Sequence, residues 1–425
     1  MSKKTSTFIM GALCIAGACV ADTSTWSEFR GTTRDGKSAA TGLPTTWSET
    51  ENIVWKTELP GEGHSSPVVA DGRIWLTMSP DQGTNRHLLC IDFKSGKITK
   101  DIELFRYNPT GERNHKMNSY ATPTPIAEGK RVYVTFGNPG TACLNAETGE
   151  IIWQRRDITN QYFDVGAASS PALFGNKLIL TCDGEPAASR FVTALDKDTG
   201  KTIWRTDRVF PNPLPKYTHS SCIPIVATVN GREQLISPGA NGVRSYDLET
   251  GKELWIARHE AWSTVPRPIV EDGIVYLFSG VIKPVMMAVQ LDKAKGDITG
   301  TDAILWSTDK DVPDMSSPLL ADNRLYTLKT AKLNCLEAKT GKVIWTQNLK
   351  GQHLSSIVSA ENRMYLFNVN GVGSVVGLGD SFNLISTNKL DSGCYASPAI
   401  VDKSLIVRTR THLYRIENNN LNVKR

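Results

Sequence analysis

The chain has 425 residues, 40% of them apolar and 21% charged, and a net charge of +5 at neutral pH. Lys3 and Lys4 carry two of those charges and no later Lys/Arg run exceeds two residues, which excludes a nucleic-acid-binding surface. Thirty-four Gly and 21 Pro point to a turn-rich, all-β protein.

Residues 1–21 read as a signal peptide. Lys3-Lys4 is the positive end, Phe8 to Val20 the apolar core, and Ala16-Gly17-Ala18 or Cys19-Val20-Ala21 the small-residue cleavage site. The expected destination is the periplasm or the medium. Lipid anchoring at Cys19 is the less favoured alternative, because Ala16 rather than Leu stands three residues before it. No later segment is long and apolar enough to span a membrane. Residues 22–50 read as an N-terminal extension and residues 51–425 as one repeat domain.

The repeat is Thr-Gly-x-x-x-Trp, seen at Thr148 to Trp153, Thr199 to Trp204, Thr250 to Trp255 and Thr340 to Trp345. With Trp306 the tryptophans are spaced 51, 51, 51 and 39 residues apart, the signature of an array of small supersecondary units. Each unit opens near a Ser/Thr-Pro signal. In chain order the openings are Ser65-Ser66-Pro67, Ala121-Thr122-Pro123, Ser169-Ser170-Pro171, Ser220-Ser221-Cys222, Pro266-Arg267-Pro268, Ser316-Ser317-Pro318, Ser355-Ser356-Ile357 and Ala396-Ser397-Pro398. An apolar run, a hairpin turn such as Asp71-Gly72 or Asn230-Gly231, a second and third strand, and the Thr-Gly strand follow.

Eight units of four antiparallel strands predict an eight-bladed β-propeller. The last unit, Tyr395 to Asn419, lacks its fourth strand. Glu51 to Leu59, with Trp55 in the repeat position, supplies it from the N-terminal side and removes an open sheet edge. Units 1 and 7 are degenerate, with Lys100 and Ser386 where Trp is expected, and unit 5 has a two-residue insertion between Gly300 and Trp306. Trp55, Trp153, Trp204, Trp255, Trp306 and Trp345 are expected to be structural, packed between neighbouring blades. Cys90, Cys143 and Cys335 occupy equivalent positions, where another unit has Ala194, so they read as small packing residues held too far apart for mutual disulfides.

The unit Ala194-Leu-Asp196-Lys-Asp-Thr199-Gly200-Lys-Thr-Ile-Trp204 resembles the pyrroloquinoline-quinone-type propeller repeat. That superfamily holds quinoprotein alcohol dehydrogenases and the propeller lipoprotein of the outer-membrane β-barrel assembly machinery. Trp26-Ser-Glu-Phe29-Arg30-Gly31, Arg34-Asp35-Gly36 and Gly42-Leu43-Pro44-x-x-Trp47 are similar to the start of its short exported members. The resemblance implies the fold and leaves activity open, because the motif makes blades rather than a site.

Dehydrogenases of that superfamily use pyrroloquinoline quinone, Ca²⁺ or a lanthanide, a carboxylate base and often a disulfide between adjacent cysteines. No adjacent cysteine pair occurs here and no ligand set matches residue by residue. The expectation is therefore no cofactor, no metal and no catalytic residue. Asp196-Lys-Asp198-Thr-Gly200 has Lys201 where a calcium loop needs Gly, so it reads as a hairpin turn.

The residues just before the eight openings should ring the channel mouth: His64, Tyr120, Ala168, His219, Val265, Met315, Leu354 and Tyr395. Loops carrying His115, Tyr162, Asp164 and Trp262 enter the same face, as does Phe210 to Thr218. The candidate ligand site is His64, Tyr120, His219 and Tyr395 with His115 and Trp262. The favoured reading is an exported, monomeric, non-catalytic binding or scaffold propeller, its partner an envelope protein, a glycan or a small molecule. A quinone- or metal-dependent oxidoreductase acting on alcohols or sugars and a polysaccharide-processing enzyme are the alternatives.

Overall fold

The structure is a computed structural model and describes residues 22–108, 114–159, 165–184, 190–208 and 219–418. The leader with Cys19, and Tyr162, Asp164 and the segment from Phe210 to Thr218, lie outside the described residues. Among those described there is no α-helix, and the strands form eight sheets in a ring, seven of four antiparallel strands and one of five whose added edge strand is parallel. Blade 1 (Val68–Ala70, Arg73–Met78, Asn85–Asp92, Ile98–Arg106) sets the pattern: a short inner strand, two buried strands and a half-exposed outer strand.

Ile53–Glu58 closes the ring. It pairs antiparallel with His412–Glu417 of the last blade, from Ile53 opposite Ile416 to Glu58 opposite His412. The sheet order places it outermost, so the last blade has no free edge.

The repeat motif locks each blade to the next. Thr-Gly makes a tight turn in which the Gly200 amide donates to the Asp196 carbonyl at 2.8 Å, while Asp196 Oδ1 accepts from the Thr199 amide and hydroxyl. On the third strand a small residue faces the tryptophan: Cys143 opposite Trp153, Ala194 opposite Trp204, Cys335 opposite Trp345. The indole then reaches the following blade. Nε1 of Trp55, Trp153, Trp204, Trp306 and Trp345 donates to the carbonyls of Phe93, Lys197, Leu248, Ala338 and Gly379 at 2.9–3.0 Å. In four of these joints, those of Trp55, Trp153, Trp204 and Trp306, the indole lies against that blade's turn glycine. A β-carbon on Gly96, Gly200, Gly251 or Gly341 would sit only 2.6–2.8 Å from the indole ring. The motif thus needs Gly twice, for positive φ and for the approach of its neighbour's Trp.

Trp255 breaks the pattern. Its Nε1 donates to Gln234 Oε1 within its own blade at 2.7 Å. The insertion in blade 5 is larger than the two residues expected: the turn from Asp92 to Lys97 in blade 1 corresponds to Gln290 to Ala303 here. Gly296–Asp297 within it pairs in parallel with Trp255 and Ile256, giving blade 4 its fifth strand. The six described cysteines are buried and free.

Residues 22–50 close one end of the channel. Trp26 bridges to Val69, the Ser27 carbonyl accepts from the Ala127 amide, and Arg34 Nη2 donates to the Leu173 carbonyl, so the segment touches the inner strands of blades 1, 2 and 3. Arg30, 1% exposed, donates to the carbonyls of Ser317, Ile357 and Pro318 on blades 6 and 7 at 2.6–3.0 Å. Arg267, equally buried, donates to Glu28 and to the Phe29 carbonyl.

Candidate functional site

The other end of the channel is a cavity of about 440 Å³ with Phe29 at its base. Each inner strand descends from the mouth, and its residues line the cavity in two tiers. The upper tier, one residue per blade, is His64, Thr122, Ala168, Ser221, Val265, Met315, Leu354 and Tyr395. The lower tier, two residues on and just before the blade proline (Ile357 in blade 7), is Ser66, Thr124, Ser170, Ile223, Ser317, Ser356 and Ser397; in blade 5 this position is Arg267, which turns away to Glu28.

The register corrects the expected openings in two blades. In blade 2 the equivalent of Ser66-Pro67 is Thr124-Pro125, as the Ser66 amide bonded to Thr124 Oγ1 shows. In blade 4 it is Ile223-Pro224, two residues before the strand Ile225–Val229. Both expected openings were set two residues early, by Thr122-Pro123 and by Ser220-Ser221. Tyr120 consequently lies outside the cavity, its ring 5.0 Å from the Arg86 guanidinium and against Gly83. His219, also displaced from the tier, still lines the cavity because its loop folds inward, its carbonyl accepting from the Ser263 amide at 2.8 Å.

Of the six candidates the cavity therefore brings together five: His64, His115, His219, Trp262 and Tyr395. Four of them form two aromatic pairs. His64 of blade 1 stacks on Tyr395 of blade 8, ring centroids 4.5 Å apart and 20° from parallel. His219 and Trp262, on the loops entering blades 4 and 5, meet edge to face at 5.9 Å. In a ring of eight, the junction of blades 8 and 1 lies opposite that of blades 4 and 5, so the pairs face one another across the mouth. Burial, then the charges of Arg408 and Arg410, push the His64 imidazole down to about 3, so it is neutral at physiological pH.

Between the pairs the wall is mainly apolar, with Met117, Val165, Val265, Val281, Ile282, Met315 and Leu354, interrupted by Asn118, Thr122, Ser221 and Ser263. Among the described residues no Asp, Glu, Lys or Arg lines the cavity, and no cluster of three His, Cys, Asp or Glu could hold a metal ion. A quinone cofactor bridged to a hard cation needs oxygen ligands on that cation and a carboxylate to take the substrate proton. These lining residues offer hydroxyl and amide oxygens but no carboxylate for either task. Sequence patterning does not single out the floor: Phe29 and Arg30 belong to the N-terminal plug, which carries no repeat, and Arg267 of blade 5 reaches it through Glu28 and the Phe29 carbonyl.

Fold and cavity define an eight-bladed quinoprotein-like propeller with a channel closed at one end and a pocket at the other. The family model described as "Outer membrane protein assembly factor BamB" matches residues 36–183, 188–316 and 290–380, and the chain belongs to that family. Quinohemoprotein alcohol dehydrogenase ADH IIB of Pseudomonas putida is 32% identical over 161 residues, 36% of this chain and 21% of that protein. The first curated relatives are covered over only 20–46% of their own lengths. Two solved structures share the fold at 12% identity. One is a quinohemoprotein alcohol dehydrogenase from Comamonas testosteroni (TM-score 0.65, 94% of this chain and 81% of that one). The other is BamB from Moraxella catarrhalis (TM-score 0.58, 86% and 99%).

Proposed function

We propose that this protein is a non-catalytic binding propeller of the cell envelope that holds a small, mainly apolar ligand, free or carried by a partner, in the channel mouth. One observation carries the reading: a one-ended cavity of about 440 Å³, mainly aromatic and aliphatic at its mouth and lined lower down by Ser and Thr hydroxyls, with no charged side chain among its described lining residues. That volume falls within the range of about 300–1,000 Å³ usual for small-molecule sites. The envelope location rests on the leader expected at residues 1–21 and on kinship with a BamB-described family.

The stretch shared with a quinohemoprotein alcohol dehydrogenase favours a second reading, a quinone-dependent oxidoreductase. Against it stands the absence of a carboxylate among the described lining residues, either to hold a cation or to take the substrate proton. The test is to purify the protein from its natural host and compare its native and denatured masses, alongside Val265→Trp, which fills the cavity from the upper tier. A bound small molecule retained by the wild type and lost from the well-folded variant supports the reading. A retained quinone and metal, with dye-linked oxidation of alcohols, replaces it with the second.

A further inference from the structure

The lower tier does more than line the wall. Its six hydroxyls join the blades in one arc: the Arg267 amide donates to Ser317 Oγ, Ser317 to Ser356, Ser356 to Ser397, Ser397 to Ser66, Ser66 to Thr124 and Thr124 to Ser170, at 2.8–3.1 Å. Every one of these oxygens is thus an acceptor for the preceding blade's backbone. None of the six O–H groups donates to an acceptor among the described residues. All six side chains are at least 95% buried with respect to residue surface, and all face the cavity. Buried hydroxyl donors without acceptors are costly to leave unmet. The floor is therefore a crown of O–H donors looking for an acceptor-rich group.

The charge around the crown selects the kind of acceptor. Arg30 hangs beneath it from the Ser317, Pro318 and Ile357 carbonyls, and Arg408 lies behind the wall between blades 8 and 1, on the Ser65 carbonyl and hydroxyl and the Thr77 carbonyl. With Arg267 these are three buried guanidiniums, each 1% exposed, and Glu28 is the one buried carboxylate among the described floor residues. Hydrogen bonds to a charged acceptor are about twice as strong as neutral ones, and a low-dielectric floor magnifies the difference. A cation would meet donors and positive charge; an anion meets both favourably.

We propose that the site takes an amphipathic monoanion, its carboxylate-like head on the hydroxyl crown above Phe29 and its apolar body against Val265, Met315 and Leu354. The inference rests on the mouth being the binding site and adds the polarity of the ligand and the direction in which it enters. The full chain is titrated calorimetrically with octanoate, octan-1-ol and octylammonium, which share a tail and differ in head. Octanoate binds at least about tenfold tighter than the alcohol, and the ammonium does not bind. Met315→Glu, which leaves the crown intact, weakens octanoate at least about tenfold and admits octylammonium. Ser66→Ala with Ser397→Ala weakens octanoate more than octan-1-ol. Equal binding of the three probes overturns the anionic floor while leaving a binding mouth in place. Octanoate that fails to bind, or binding indifferent to Met315→Glu in a variant that melts like the wild type, also overturns it; the masses of the host-purified protein then decide the mouth reading separately.

Discussion

Trp204 and Gly251 form one joint between two blades: the indole covers the glycine so closely that a β-carbon would lie 2.6 Å from it, and Trp204 Nε1 donates to the Leu248 carbonyl three residues before. Gly251 also holds φ at +71°, which side chains resist. Trp204→Ala removes a buried aromatic and is expected to cost roughly 3–5 kcal/mol. Gly251→Ala meets both strain and clash and is expected to cost at least about 1 kcal/mol. Because each damages the same joint, the double variant loses less than the sum, by roughly 0.5–3 kcal/mol. Denaturant titration of the four proteins checks this; strict additivity would mean that the two residues do not form one unit.

Deleting residues 22–60 removes both the channel plug and the strand that closes the last blade. His412–Glu417 then becomes an exposed edge, and Arg267 loses Glu28. The shortened protein is expected to self-associate and to melt well below the full chain. A monomer with an unchanged melting temperature by light scattering and calorimetry contradicts the closure.

Acid is expected to destabilise the fold through its buried histidines. Burial holds His64 at about 3 and His259 at about 4, below the ordinary 6.5. Between about pH 6.5 and 3 the unfolded chain binds these protons and the folded chain does not, so stability falls as pH falls through that window. In His64→Gln the decline in melting temperature from pH 7 to pH 4 becomes shallower. An identical slope in both proteins means that His64 is not held neutral.

The cavity lining leads us to expect no calcium-dependent uptake of pyrroloquinoline quinone and no dye-linked oxidation of alcohols or sugars. Fluorescence titration with and without Ca²⁺, followed by an oxidase assay with added quinone, tests this. Micromolar, calcium-dependent binding with turnover would make the protein an oxidoreductase.

The propeller was legible because its signal repeats. Thr-Gly-x-x-x-Trp marks both halves of an inter-blade joint, and Glu51 to Leu59 was recognisable as the missing strand by the same pattern. The tiers of the channel were less so. Thr122-Pro123-Thr124-Pro125 offers two openings in succession, and only the hydrogen bond from Ser66 selects the second. In blade 4, Ile223-Pro224 has no hydroxyl while the neighbouring Ser220-Ser221 does, and the tier position expected for His219 belongs to Ser221. The plug had no periodic signal at all. Nothing local in the sequence joins Arg30 to Ser317 or Arg267 to Glu28, and these long-range contacts bury both guanidiniums.

The central claim is that the mouth is where this protein binds. A crystal structure of the protein purified from its natural host tests it most directly. The account predicts electron density for an organic molecule between the His64–Tyr395 and His219–Trp262 pairs, its polar end on Ser66, Ser317, Ser356 and Ser397. An intact propeller with only water in that cavity, and a ligand or partner seated on the side of a blade, would contradict it.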